Sequence, residues 1–200
     1  NQGSYFGKNL YNVTHESFYS NYIFNSIINN TKNKFSTGAS FTWDRYQEFV
    51  ALPQEQAFDR IDNSLGGFFE YTYDNLKNFN AIVGGRIDYH NRMGVFVTPR
   101  IHMRYTPWES TTIKASLGRG KRLNNIFAEN QHLFASSREF HILGEGGSIY
   151  GLNPEIAWNY GISIGQKFKL FGRNADVTAD FYRTDFENQI VTDIDYSARE

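Results

Sequence analysis

Apolar and polar residues alternate with a period of two along Phe79–Leu117. Phe79, Ala81, Val83, Gly85, Ile87 and Tyr89 share one face, and Asn80, Ile82, Gly84, Arg86, Asp88 and His90 share the other. Alternation sustained over twelve residues is long for a strand of a soluble domain. The pattern resumes downstream, with Ile101, Met103 and Tyr105 set against Arg100, His102 and Arg104. One face suits hydrocarbon and the other carries full charges. Consecutive strands of this type are what the wall of a transmembrane β-barrel requires.

The same reading along the chain predicts about eight strands. Ser17–Asn29 is the first, with Phe18, Tyr22, Phe24 and Ile28 outward and Ile23 and Ile27 as apolar intrusions inside. Lys34–Gln47, Asn63–Tyr73, Phe79–His90, Val97–Thr106, Thr111–Gly120, Ile156–Phe168 and Ala175–Val191 follow. Asn1–Glu16, polar and rich in Asn and Gly, and Glu48–Asp62, which contains Pro53, read as loops. Short polar turns (Asn29–Asn33, Asp74–Asn78, Pro107–Ser110, Lys169–Asn174) alternate with longer connections (Glu48–Asp62, Asn91–Phe96, Lys121–Leu152). In an antiparallel wall this puts every short turn at one end, the asymmetry of outer-membrane barrels. Aromatic residues gather near strand ends (Trp43, Tyr71, Tyr73, Phe79, Tyr89, Tyr105, Trp108, Trp158, Phe168), as an interfacial girdle requires. Any one of these strands would also fit a half-buried strand of a soluble sheet; it is the set that points to a membrane.

The longest interruption, Lys121–Leu152, has a different period. Leu123, Ile126, Phe127, Asn130, Leu133 and Phe134 fall at helical spacing, so a short amphipathic helix is expected within Arg122–Phe134. A connection of this size exceeds what joining two strands needs, and such loops are usually functional or disordered.

Composition narrows the picture. A net charge of −1 removes any general electrostatic case for nucleic acid, and the absence of cysteine excludes disulfides and thiolate metal sites. Aromatic residues make up 17% of the chain. The low mean hydropathy does not argue for a soluble protein, because lumen-facing polar residues cancel lipid-facing apolar ones strand by strand. No run approaches the ~20 apolar residues of a transmembrane helix. The opening NQGSYFGKNLYN is not a signal peptide, and the closing DIDYSARE is not an aromatic-ended strand. The expectation is therefore an excerpt of a larger barrel.

Four local patterns carry a family resemblance. They are TPR at Thr98–Arg100, SLGRGKR at Ser116–Arg122, GLNPEIAWNYG at Gly151–Gly161 and FYRTDFENQIV at Phe181–Val191. In order and spacing they resemble the TonB-dependent outer-membrane receptors. That resemblance implies a barrel of roughly 22 strands with its lumen blocked by an N-terminal plug. This chain would be part of the wall, without the plug, the TonB-contacting box or the final strands. A small closed barrel of eight strands is the competing architecture.

Candidate chemistry is confined to binding. Arg86, Asp88, His90, Arg100, His102, Arg104 and Lys114 gather on the inner face of consecutive strands. They either hold an anionic ligand such as a ferric chelate or pair with one another across a wet lumen. Arg92, Arg119 and Arg122 at strand exits, with Asn130, His132 and Arg138 in the long loop, complete the candidate ligand-binding set. Arg122 and Glu155 are expected to pair at the loop base. His90, Met93, His102 and Met103 do not converge, since Met103 alternates outward, so no metal site is expected. No phosphate loop, nucleophile elbow, zinc motif or dinucleotide turn is present, and neither an enzyme nor a bound cofactor is expected. Two functional classes remain. One is energy-coupled import of a scarce ligand (a ferric siderophore, cobalamin or similar chelate) with outer-membrane lipid and the TonB system as partners. The other is a passive porin-like or adhesin-like barrel.

Overall fold

A computed structural model of the chain describes residues 2–7, 9–52, 54–135, 141–144 and 146–193. Among them nine strands form a single antiparallel sheet in sequence order. They are β1 (Gln2–Phe6), β2 (Asn9–Ile27), β3 (Asn33–Leu52), β4 (Gln54–Asp74), β5 (Phe79–His90), β6 (Gly94–Trp108), β7 (Thr111–Arg122), β8 (Glu155–Leu170) and β9 (Arg173–Asn188). Every neighbour in the sheet is a neighbour in sequence, so the topology is a pure meander, as a barrel wall demands.

Register sorts the side chains into two faces. Phe18 opposes Trp43, Phe41 opposes Leu65, Leu65 opposes Tyr89, Val83 opposes Ile101, Ile101 opposes Leu117, Ala115 opposes Ile162 and Ile162 opposes Phe181. All lie on the outward face. The exposed large apolar side chains of this face include Tyr22, Leu65, Phe69, Ile87, Val95, Ile162 and Phe181. From Phe79 to Tyr89 in β5, or Trp158 to Phe168 in β8, the apolar run covers ten steps. At ~3.4 Å per residue and a tilt near 45° that is a band about 25 Å tall, the height of an outer-membrane hydrocarbon layer. Aromatic pairs rim it: Phe18–Phe41 at one level, and Phe35–Phe69, Tyr73–Phe79 and Phe79–Tyr105 at the other.

Two stretches differ from the sequence expectation. Asn1–Glu16, read as loop, contains β1 and the first half of β2 from Gln2 onward, which raises the strand count from eight to nine. Glu48–Asp62, read as an irregular loop, is strand on both sides of Pro53, with Leu52 opposite Gln54; Pro53 itself lies outside the described residues. The cause is the change of solvent. Beyond the band, water reaches the outward face, so no apolar alternation is required there although the backbone ladder continues. The polarity even inverts: Tyr11, Val13, Val50 and Phe58 turn inward, while Asn12, Thr14, Arg45, Gln47 and Asp59 turn outward. The asymmetry between the two ends is thus largely strand overhang. Gly94 pairs directly with His90, and among the described residues the one long connection is that between Arg122 and Glu155.

That connection contains one short helix, α1 (Ile126–Glu129), and a 3₁₀ segment at Gln131–Ala135. The helical spacing seen in the sequence thus becomes two separate turns. Phe127 and Phe134 are the buried residues of these turns. They close a small core with Tyr11 and Val50, flanked by Val13, Phe58, Ile126, Ile142 and Tyr150. The loop between β7 and β8 therefore crosses the inner side of the wall and docks on β2–β4.

Candidate functional site

The docked loop builds the long-loop end of the lumen. Its apolar contact is a cluster of rings: Phe58 lies 5.6 Å from Phe127 and 5.2 Å from Tyr150, Phe127 lies 5.2 Å edge-on from Tyr150, and Tyr11 lies 6.0 Å from Phe134. Edge and tilted ring pairs at these separations add to the burial of apolar area. Asn9 Nδ2 donates to the Phe134 carbonyl at 2.8 Å, and Ser4 Oγ donates to Gln131 at 3.2 Å, tying the 3₁₀ turn to β1 and β2.

Beneath the rings runs a polar chain. Glu48, 3% exposed, accepts from the Tyr11 hydroxyl at 2.8 Å and from the Tyr150 hydroxyl. Arg60, also buried, donates to the Tyr150 oxygen at 3.1 Å and to Asn125 Oδ1. Its guanidinium sits 4.2 Å from the Tyr46 ring centroid and 5.4 Å from that of Tyr150. Asp62 lies 3.2 Å from Arg60 Nε, out of line for a hydrogen bond, and accepts from Arg92 Nε at 2.8 Å. Arg92 continues to the loop, donating to the Ser148 carbonyl at 3.4 Å, while Ser148 Oγ donates back to the Arg92 carbonyl at 3.1 Å. Buried charges need partners: Asp62 has Arg60 and Arg92 as counter-charges, and Glu48 is held by two tyrosine hydroxyls. Burial, and then the hydrogen bond to Glu48, raise the Tyr150 hydroxyl well above its usual pKa, so it stays neutral and donates.

The base of the loop is braced separately. Arg122 Nε donates to Glu155 Oε2 at 2.6 Å, and Arg122 Nη2 reaches Glu129 at 3.3 Å. The other Glu155 oxygen accepts from the Ile190 amide at 3.0 Å, which fastens the end of β9 to the same point.

Lower on the wall the inner charges pair. Arg86 contacts both oxygens of Asp88 and donates to Ser40 Oγ at 2.5 Å. This arrangement lies across Gly66, where an added Cβ would fall 1.9 Å from Asp88 Oδ1. Glycine is needed there for close approach. Arg100 pairs with Glu70. An open groove of about 480 Å³ lies on the same face, lined in part by His102, Arg104, Lys114, Ser116, Asp180 and Tyr182.

The family model for the TonB dependent receptor-like β-barrel matches residues 1–199. The chain belongs to the TonB-dependent receptors. Solved structures agree on the fold. A mutant of the ferric enterobactin receptor PfeA from Pseudomonas aeruginosa superposes with a TM-score of 0.66 at 16% identity, over 90% of this chain and 28% of that one. The siderophore receptor PirA from Pseudomonas aeruginosa gives 0.61 at 17% identity, over 93% and 34%. The copper transporter OprC gives 0.55 at 15% identity, over 86% and 30%. The chain thus spans about a third or less of the length of these structures. No curated protein sequence matches it.

Within this receptor wall the residues singled out in the sequence separate. His90 and Arg92 join the mouth network, the His90 Nδ1 accepting from the Arg92 amide at 3.1 Å. Arg122 sits at the loop base. Arg100 and His102 lie on the inner face further down. Arg119 falls on the outward face with Leu117, where it pairs with Glu187 at 2.7 Å beside Trp158. Asn130 caps its own turn, donating to the Ile126 carbonyl at 2.8 Å, and His132 is exposed on the 3₁₀ segment. Arg138 lies outside the described residues. His90 and His102 do not meet: Ile82, the register partner of His102, is eight residues from His90, about 27 Å along the strand. Tyr11, Glu48, Arg60, Asp62 and Tyr150, the centre of the mouth, are not among the residues the sequence points to, because all five lie in stretches whose pattern reads as loop. An available signal was the concentration of Glu48, Arg60 and Asp62 in a short segment beside aromatic residues.

Proposed function

We propose that this chain forms wall and external rim of an outer-membrane receptor that imports a scarce metal chelate of the ferric siderophore class. In this reading the short-turn end faces the periplasm and the long-loop end faces outside. The plug and the TonB-contacting box are supplied by other parts of the receptor, and transport is driven by the energy-coupling system. The wall does no bond chemistry; it fixes loops and shields a path.

The observation that carries the reading is the docking of Phe127, Phe134 and Tyr150, from the loop between β7 and β8, onto β2–β4. A passive pore benefits from an open mouth. A receptor that captures a dilute solute benefits from a folded one whose recognition surface is ordered before binding, since that lowers the entropy lost on capture. The family match and the siderophore receptors among the similar structures support the same class. His132 and Arg138 on the loop, then Arg100 and His102 on the wall below, are the proposed ligand contacts along the path. His90, Arg92 and Arg122 hold the rim that presents them.

The test is uptake of ferric catecholate, ferric hydroxamate and cobalamin by cells carrying the whole receptor, with and without collapse of the inner-membrane proton gradient. Import of one of these that stops on collapse supports the reading. Import that persists shows a passive barrel instead.

A further inference from the structure

Charge is unevenly settled along the inner wall. From the mouth down to Arg100 the inward arginines are paired: Arg92 with Asp62, Arg86 with Asp88 and Arg100 with Glu70. Nearer the short-turn end two cations stand unpaired. Arg104 of β6 and Lys114 of β7 are register partners on the inward face, and both are exposed. Neither makes an ion pair or hydrogen bond among the described residues, and the strands on both sides of each are described. Like charges directly opposite one another across a strand pair are destabilising, and an anion seated between them removes that cost.

The rest of this row sets the limits of a site. Asn80 lies opposite Arg104 on β5, and Ser163 lies opposite Lys114 on β8. Beyond them come the acids, Asp74 opposite Asn80 and Asp180 opposite Ser163. Each acid stands two strand spacings, about 10 Å, from the nearer cation. Asp74 already accepts from Asn80 Nδ2 at 3.3 Å. One level up, His102 and Ser116 are register partners, and the Tyr182 ring lies along Gly161, where an added Cβ would fall 2.8 Å from it. These residues border the groove of about 480 Å³. Small-molecule sites span roughly 300–1,000 Å³, so the bounded groove favours a small solute over a protein segment.

We propose that Arg104 and Lys114 form an inner subsite that takes a negatively charged oxygen group of the imported chelate after it has passed the mouth, and hence that the cargo is an anionic chelate. The guanidinium and the ammonium give charge-assisted hydrogen bonds to catecholate or carboxylate oxygens. Asn80, His102 and Ser116 add donors beside them. The order of charges along the wall gives the movement a direction. Paired arginines near the mouth hold an anion weakly, and unpaired cations further down attract it. The flanking aspartates keep it from binding too tightly to leave. The inference rests on the import reading given above.

The experiment gives cells carrying the whole receptor either ferric tris-catecholate, which is anionic, or a neutral ferric trihydroxamate. Surface binding is measured with the inner-membrane gradient collapsed, and uptake with it intact. The double variant Arg104→Gln with Lys114→Gln is expected to bind ferric catecholate at the surface as the wild type does. It should import it about tenfold more slowly, the factor that corresponds to loss of one charge-assisted contact. Arg104→Lys with Lys114→Arg keeps both charges and is expected to import at close to the wild-type rate, which also shows that the two positions tolerate substitution. Import of ferric catecholate by the glutamine variant at the wild-type rate overturns the subsite. Entry of vancomycin into cells carrying that variant also overturns it, since the cations would then be holding a segment that closes the lumen. Wild-type import of the neutral chelate alone overturns an anionic cargo. Import of neither chelate by the wild type defeats the import reading itself, which separates that failure from failure of the subsite.

Discussion

Tyr150 and Glu48, separated by 102 residues in sequence, share a hydrogen bond in which the loop tyrosine donates to a carboxylate buried on β3. The same carboxylate is bound by Tyr11 of β2, and the Tyr150 oxygen is bound by Arg60 of β4. One loop side chain thus closes a contact with three strands of the wall.

Removing that hydroxyl should loosen the loop without harming the barrel. Tyr150→Phe keeps the ring contacts with Phe58 and Phe127 but leaves Glu48 and Arg60 each short of a partner. A buried polar group that loses its partner costs about 1–3 kcal/mol. Amide hydrogen exchange in residues 141–152 of the whole receptor should accelerate accordingly, while exchange in β5 and β6 stays unchanged. Unaltered exchange in the loop would show that the rings alone hold it.

The same hydroxyl sets a pH limit. Burial and the Glu48 hydrogen bond raise its pKa above the 10.0 of a free tyrosine, with Arg60 opposing. Below pH 10.0 both the docked and the released loop keep the proton, so docking is independent of this group there. Above it the released tyrosine ionises while the docked one does not, and docking weakens as pH rises. Loop exchange corrected for its intrinsic rate should show this alkaline loosening in the wild type and less of it in Tyr150→Phe, where Tyr11, raised by burial and by the same carboxylate, still contributes.

Arg122 and Glu155 should behave as a coupled pair. Glu155 is buried and Arg122 is mostly exposed, so Arg122→Gln leaves a buried carboxylate with a weaker partner, whereas Glu155→Gln frees an arginine that water can solvate. The first substitution is expected to cost more. A double-mutant cycle on the receptor's unfolding free energy in lipid should return a coupling of about 1–2 kcal/mol. Strict additivity would mean that the contact does not brace the loop base.

Neighbouring positions on β8 test the assignment of faces. Ile162 is outward, between Ala115 and Phe181, and Ser163 is inward, between Lys114 and Asp180. Ile162→Arg puts a charge in hydrocarbon and should destabilise the barrel by about 2–4 kcal/mol, whereas Ser163→Arg adds one more charge to a wet face. Urea unfolding in lipid vesicles separates the two; equal effects would contradict the register.

The strands inside the band were legible because lipid acts on each residue locally. Phe79–His90 appears in the structure with the limits the alternation indicated, and Trp158 to Phe168 keeps its outward face throughout. Errors begin where lipid ends. Asn9–Glu16 and the described residues of Glu48–Asp62 lie in strands whose outward residues meet water, so the alternation that lipid imposes ends there and the apolar residues that remain turn inward toward the loop. The candidate site suffered most from this, since Glu48, Arg60 and Asp62 all lie in that region. The inner basic row had two readings, and Arg86–Asp88, Arg92–Asp62 and Arg100–Glu70 show that much of it is paired within the wall.

By itself, the sequence determined an antiparallel, membrane-facing wall and the face of most side chains within it. A hydrocarbon solvent imposes its period of two on every outward position, and that constraint is readable without knowing any partner. Only the tertiary structure decided how far β2, β3 and β4 rise beyond the membrane and where the long loop comes to rest. Those outcomes depend on backbone pairing in water and on contacts such as Tyr150 with Glu48, for which no local pattern exists.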